Sequence, residues 1–153
     1  LDMHPVIGNN AQLLKRLGLN LETREFGLVE GAYIGVIGRT PTPVLFESFV
    51  ESVAISLSST PQSLAYGPQV VNRVAIVSGG GAMEIREAID RGCEVYVTGE
   101  VREPTPALAK EAGINYISLG HYNSEKWGPI ALGELLSERF GVVADFIDIP
   151  NPY

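Results

Sequence analysis

The sequence holds a single cysteine, Cys93, which excludes an internal disulfide framework and fits a reducing compartment, so the cytoplasm is the expected location. Basic side chains are outnumbered, 11 against 18 acidic. The resulting formal charge of −7 argues against a broad basic footprint for nucleic acid or an anionic membrane. No apolar run reaches the roughly 18 to 20 residues that cross a bilayer, and no charged and apolar leader pattern opens the chain. Histidine is scarce too, with only His4 and His121. Imidazole chemistry in this chain must use one of these two.

What is present suits one ordinary globular core. The chain has 153 residues, 45% hydrophobic and 19% charged, and one domain over 1–153 is expected, with a surface loop at 58–68 where Ser, Thr, Pro, Gln and Gly accumulate. Leu1 stands where an initiator methionine would, and Leu1-Asp2 reads as the end of a buried strand, so an N-terminal truncation is expected.

Leu13, Leu14 and Leu17 share one face of a short helix over 10–17, which Gly18 is suited to end. Residues 33–37 read as a strand. Thr42-Pro43 offers an N-cap and a first-turn proline for a helix over 43–57, whose Phe46, Phe49, Val50, Val53 and Leu57 form a core stripe. Beyond the loop the pattern is regular: strand 70–77, helix 82–91 closed by Gly92, strand 93–98, helix 106–112, strand 116–119, helix 124–140 and a last strand 142–149. This alternation predicts an α/β fold, with ligands beyond the carboxyl ends of parallel strands. Ser78-Gly79-Gly80-Gly81, Gly99-Glu100 and Gly120-His121 all fall at such ends.

His121 and Glu125 have a spacing that places both on one helix face, and an imidazole with a carboxylate suits zinc, iron, manganese or nickel better than calcium. The same spacing also fits a helix-cap hydrogen bond. Asp2 is either a third ligand or a cap for the helix that begins near Asn9. His4, held extended by Pro5, reads as a structural or orienting histidine rather than a ligand. Glu100 lies in the same layer and could accept a hydrogen bond that orients an imidazole. The glycine turn 78–81 fits an anion site or a plain tight turn, and it matches neither the dinucleotide fingerprint nor the Walker spacing. Cys93 should be an inert apolar filler. Trp127 either stacks on a base or shields the sheet edge.

Taken together, Leu1-Asp2-Met3-His4-Pro5 with Gly8-Asn9-Asn10, Val77-Ser78-Gly79-Gly80-Gly81, Tyr96-Val97-Thr98-Gly99-Glu100 and Gly120-His121-Tyr122-Asn123-Ser124-Glu125 resemble the GTP cyclohydrolase 1 type 2 homologues, also called Nif-three-like proteins. The resemblance runs over nearly the whole chain. It implies a Nif-three-like α/β fold with mixed sheets flanked by helices, assembled as a homohexameric ring. It further implies a centre of two divalent ions with Asp2, His121 and Glu125 as ligands, completed by an adjacent His-His pair upstream of the aspartate motif. No His-His pair occurs in these 153 residues. Many members carry a histidine soon after the Thr-Gly-Glu turn, where this chain has Val101-Arg102-Glu103-Pro104. The implied chemistry is metal-dependent hydrolysis of a nucleotide or phosphorylated small molecule, with Glu100 as the nearest candidate proton acceptor. A regulatory or interaction protein with a metal-stabilised ring is the other class the resemblance admits. A nucleotide-binding module built on 78–81 is a third, whose affinity would survive chelation.

Overall fold

Residues 70–77, a nearly continuous apolar run, form strand β4 (Val70–Val77) at the centre of a single six-stranded sheet in the computed structural model, which describes residues 1–149 and Asn151. In chain order the elements are α1 (Asn9–Arg16), β1 (Asn20–Val29), β2 (Ala32–Leu45), α2 (Phe46–Leu57), β3 (Gln62–Leu64), β4, a 3-10 turn (Ala82–Glu84) leading into α3 (Ile85–Asp90), β5 (Val95–Thr98), α4 (Thr105–Ala112), β6 (Asn115–Ser118), α5 (His121–Glu125) and α6 (Trp127–Phe140). The strand order is β1-β2-β4-β5-β6-β3. β4, β5 and β6 run parallel, while β1, β2 and β3 join antiparallel, so the α/β sheet is mixed.

Alternation along β4 divides the core into two layers. Val74 and Ile76 face α1 and α2 with Leu13, Phe49, Val53 and Leu57, whereas Ala75 and Val77 face the other side with Ile85, Ala88, Tyr96 and Tyr116. Both faces of the parallel strands are therefore covered, which is why their central positions are apolar without alternation. The expected core stripe of α2 is buried at Phe46, Phe49, Val53 and Leu57. At the end of α1, Gly18 adopts φ +65, and the amide of Leu19 donates to the Leu14 carbonyl, closing the helix as its sequence predicts.

Several expectations need correction. The strand at 33–37 is one part of a long hairpin: β1 and β2 meet at a two-residue turn in which Glu30 and Gly31 both have positive φ, matching the twist of an antiparallel pair. Thr42-Pro43 lies inside β2 rather than capping a helix; α2 starts at Phe46, whose amide donates to the carbonyl of Gln69. The 58–68 segment contains the short edge strand β3, paired with β6. The final strand over 142–149 does not form. Its apolar alternation finds no strand to pair with among the described residues, and Val143 and Ile147 are 88% and 78% exposed. Leu1-Asp2 is likewise no strand end but the start of a turn, with Leu1 exposed.

Candidate metal-ligand site at the ends of the parallel strands

The three parallel strands end on one edge, and the turns that follow them bring His121, Glu125 and Glu100 together. Gly120, at φ +83, turns the chain from β6 into α5, so that His121 and Glu125 stand one helical turn apart. His121 Nδ1 is 2.7 Å from Glu100 Oε1, and Nε2 is 3.2 Å from Glu125 Oε2. An ionised carboxylate can only accept, so Nδ1–H donates to Glu100 and leaves Nε2 as the outward nitrogen. Glu100 thus takes the orienting position its place after β5 suggests. Its own backbone carbonyl accepts a 2.5 Å hydrogen bond from the buried Tyr116 hydroxyl, a support that the sequence reading missed.

The charges act on one another. Glu100's hydrogen bond raises the His121 pKa above its ordinary value, partial burial opposes the rise, and the Glu125 charge reinforces it. Glu125 is itself pushed above the usual carboxylate range, mainly by burial; His121 pulls it back while the charge of Asp2 adds to the rise. Asp2 therefore sits within electrostatic reach of Glu125. Its Oδ1, however, accepts a 2.6 Å hydrogen bond from Asn9 Nδ2, while Asn9 Oδ1 accepts one of 2.6 Å from the Gly128 amide. Asp2 is held through Asn9 rather than capping α1 directly; no side chain caps that helix. Gly8 permits this turn, because a Cβ there would come within 2.5 Å of the His4 carbonyl oxygen and 2.6 Å of that of Asp2.

Gly79 packs directly under the His121–Glu125 pair. Its φ is +61, and a Cβ would overlap Glu125 Oε1 and lie 3.1 Å from His121 Nε2. Ser124, fully buried, locks this arrangement: its hydroxyl accepts from the Gly79 amide at 2.8 Å and donates to the His121 carbonyl at 2.8 Å. The Ser78 amide donates to Asn10 Oδ1 at 2.8 Å. With two of its amides engaged by the protein's own oxygens, the glycine turn behaves as a tight turn that makes room for the site. Asn9, Asn10 and Ser124 were visible only as motif letters; their bridging depends on contacts between distant elements.

His4 stands apart from this group. Its Nδ1 accepts from the amides of Val6 and Ile7 at 3.2 and 3.1 Å, which makes it a structural part of the N-terminal turn. Trp127 shields the sheet edge, packing against the core with the Arg16 guanidinium 3.7 Å from its ring centroid. Burial raises the Cys93 thiol to about 11, so it is the inert filler expected.

A neutral imidazole nitrogen and a carboxylate on one helix face, with the other ring nitrogen fixed by Glu100, have the chemistry of a borderline divalent-ion site. They supply two donors of the four or more such an ion takes. Among the described residues, no group of three or more His, Cys, Asp or Glu side chains is placed to hold a metal. The residues present fit part of a metal centre and do not form a whole one. Beside the pair opens a cleft of about 300 Å³ walled by Tyr122, Lys126 and Phe146. The tail crosses here: Asp148 Oδ1 accepts a 2.5 Å hydrogen bond from Tyr122 Oη, with Lys126 Nζ 3.8 Å from Oδ2.

Known proteins are similar to this chain in sequence and in fold. A GTP cyclohydrolase 1 type 2 homolog of Haemophilus influenzae is 39% identical over 154 residues, covering 99% of this chain and 60% of its own length. One from Pyrococcus horikoshii is 41% identical over 153 residues, again covering 99% of this chain and 60% of its own length. Among solved structures, the protein ybgI, described as of unknown function, superposes with a TM-score of 0.92 at 36% identity over all of this chain and 60% of its own. The chain thus spans about 60% of the length of the curated relatives it matches. The family profile Duf34/NIF3 (NGG1p interacting factor 3) matches residues 1–152, and the chain belongs to that family.

Proposed function

We propose that this chain contributes one part of a divalent-metal centre to a regulatory or interaction protein, in which the ion stabilises the assembly and does not turn over a substrate. His121 Nε2 and Glu125 are the ligands, Glu100 holds the imidazole, and Asp2 is the third donor once its contact with Asn9 is released; further donors come from outside these residues. The observation that carries this reading is that, among the described residues, two donors converge on a backbone shaped around them at Gly79, while Glu100 Oε1 is engaged by the imidazole. In the complete protein the centre holds two ions, drawn from zinc, iron, manganese or nickel, and joins copies of the chain in a homohexameric ring.

A second reading, metal-dependent hydrolysis of a nucleotide or phosphorylated small molecule, draws on the name its relatives carry, GTP cyclohydrolase 1 type 2 homolog. A bound ion would there polarise the bond to be cleaved. Glu100, hydrogen-bonded to His121 Nδ1, would keep that ring oriented and take up part of its proton's charge.

The two readings separate in the full-length protein loaded with zinc or manganese. Phosphate, formate and ring-opened nucleotide are followed from GTP, alongside thermal melting with and without a chelator. The binding reading expects a melting temperature that falls on chelation and no metal-dependent product. Product formation abolished by both chelation and Glu125→Gln would replace it with the hydrolase.

A further inference from the structure

Tyr96 and Tyr116 stand opposite each other on the parallel strands β5 and β6, fully buried on the side of the sheet that α3 and α4 cover. Phe26 meets Tyr96 at a ring-centroid distance of 6.1 Å and Tyr96 meets Tyr116 at 5.7 Å, both edge to face, so packing fixes each ring independently of its hydroxyl. A buried phenol needs a partner. Each finds one at the strand ends: the Tyr96 hydroxyl donates to the Gly81 carbonyl, and the Tyr116 hydroxyl donates to the Glu100 carbonyl. Burial raises the pKa of both hydroxyls, so both remain donors at neutral pH.

The two bonds are alike, but what they hold differs. Gly81 has no side chain to aim. Glu100 lies in the irregular stretch between β5 and α4, and its carboxylate reaches His121 Nδ1 at 2.7 Å. Arg102 Nε, 3.8 Å from Glu100 Oε2, is too distant and too exposed to fix that carboxylate by itself. A carboxylate on a loop orients an imidazole only as well as its own backbone is held. The bond from Tyr116 ties that backbone to a ring locked in the core.

We infer that Tyr116 is a positioning residue for the metal-ligand pair: its hydroxyl fixes the Glu100 backbone, Glu100 fixes the imidazole, and His121 Nε2 is thereby presented to the ion. The competing explanation is that the hydroxyl only satisfies a buried carbonyl. Tyr96 measures that explanation, because its hydroxyl is equally buried and holds no side chain of the site. The inference rests on the metal reading for its purpose, while the link from Tyr116 to His121 needs no ion.

The test uses full-length protein as parent, Tyr116→Phe, Tyr96→Phe, Glu100→Ala and the double variant of Tyr116→Phe with Glu100→Ala. Zinc affinity is measured by competition with a chromophoric chelator. Separately, in EDTA, the rate at which diethyl pyrocarbonate modifies His121 is followed by peptide mass spectrometry, with His4 as the internal reference. Both tyrosine substitutions keep the buried ring and remove one oxygen. Tyr116→Phe should weaken zinc binding ~tenfold, the low end of what losing such outer support costs, and should speed modification of His121 severalfold relative to His4. Tyr96→Phe should leave both readouts close to the parent's, and Tyr116→Phe should add nothing once Glu100 is alanine. The inference is overturned if Tyr116→Phe leaves either readout unchanged, if Tyr96→Phe costs as much, or if the effect of Tyr116→Phe persists in full beside Glu100→Ala. A parent that binds no zinc would end the metal reading instead, and the modification rates in EDTA would still decide whether Tyr116 holds the imidazole.

Discussion

Gly79 and Glu125 pack so closely that a single methyl group on the glycine would overlap the carboxylate oxygen Oε1. The turn after β4 and the end of α5, 46 positions apart in the chain, are thus shaped to each other, and the carboxylate packs against backbone on one side. Gly79→Ala should suffer twice. The left-handed backbone costs a side-chain-bearing residue about 1–2 kcal/mol, and Glu125 must move away from His121. Urea denaturation reads the first effect, and weaker zinc binding by the full-length variant reads the second.

Ser124→Ala removes a hydroxyl that serves two backbone groups at once. The Gly79 amide, buried and bonded to Ser124 Oγ at 2.8 Å, loses its acceptor. The expected loss is about 1–3 kcal/mol of unfolding free energy, the cost of an unsatisfied buried group. An unfolding curve indistinguishable from the parent's would mean that water replaces the hydroxyl.

The Glu100–His121 pair predicts a specific pH dependence in the metal-free chain. Because Glu100 raises the His121 pKa, the protonated ring is favoured in the folded state; its contribution to stability is fully present below the unfolded value of about 6.5 and is lost as pH rises through the higher folded value. Glu100→Gln should bring the pKa down and flatten that dependence. With only two histidines in the chain, proton NMR titration resolves His121 from His4 directly. Metal binding should weaken as pH falls through the same range, because ion and proton compete for Nε2.

Cys93 should be silent to thiol reagents. Burial holds its pKa at about 11, and the side chain lies under β4, β5 and α3, so at pH 8 the native protein should react with a disulfide reagent far more slowly than the urea-unfolded chain. Rapid labelling of native protein would mean that this layer opens easily.

The legible parts of the fold were those with local causes. β4 covers 70–77 as read, because its second half, Val74 to Val77, is buried on both faces and carries only apolar side chains. β1 was missed because an edge strand exposed over most of its length carries polar residues such as Asn20, Glu22, Arg24 and Glu25 without penalty; only Phe26 and Gly27 are buried in it. The strand expected at 142–149 shows the reverse error: alternation describes a strand's faces and says nothing about whether a pairing edge is available. At the site, the four-residue spacing of His121 and Glu125 and the strand-end position of Glu100 were readable. The need for glycine at 79, the Ser124 bridge and the Asn9–Asp2 link were not, because each arises where segments far apart in sequence meet.

As proposed, His121 and Glu125 are ligands to a divalent ion whose remaining donors lie beyond these residues. The most direct measurement is metal content per chain, by elemental analysis, of the full-length protein prepared in excess zinc or manganese and then desalted, for the parent, His121→Ala and Glu125→Gln. The parent should hold about two ions per chain, both variants should show a clear loss, and the 153-residue chain alone should retain metal weakly or not at all. Metal retained equally by the parent and both variants, or held stoichiometrically by the isolated chain, would contradict it.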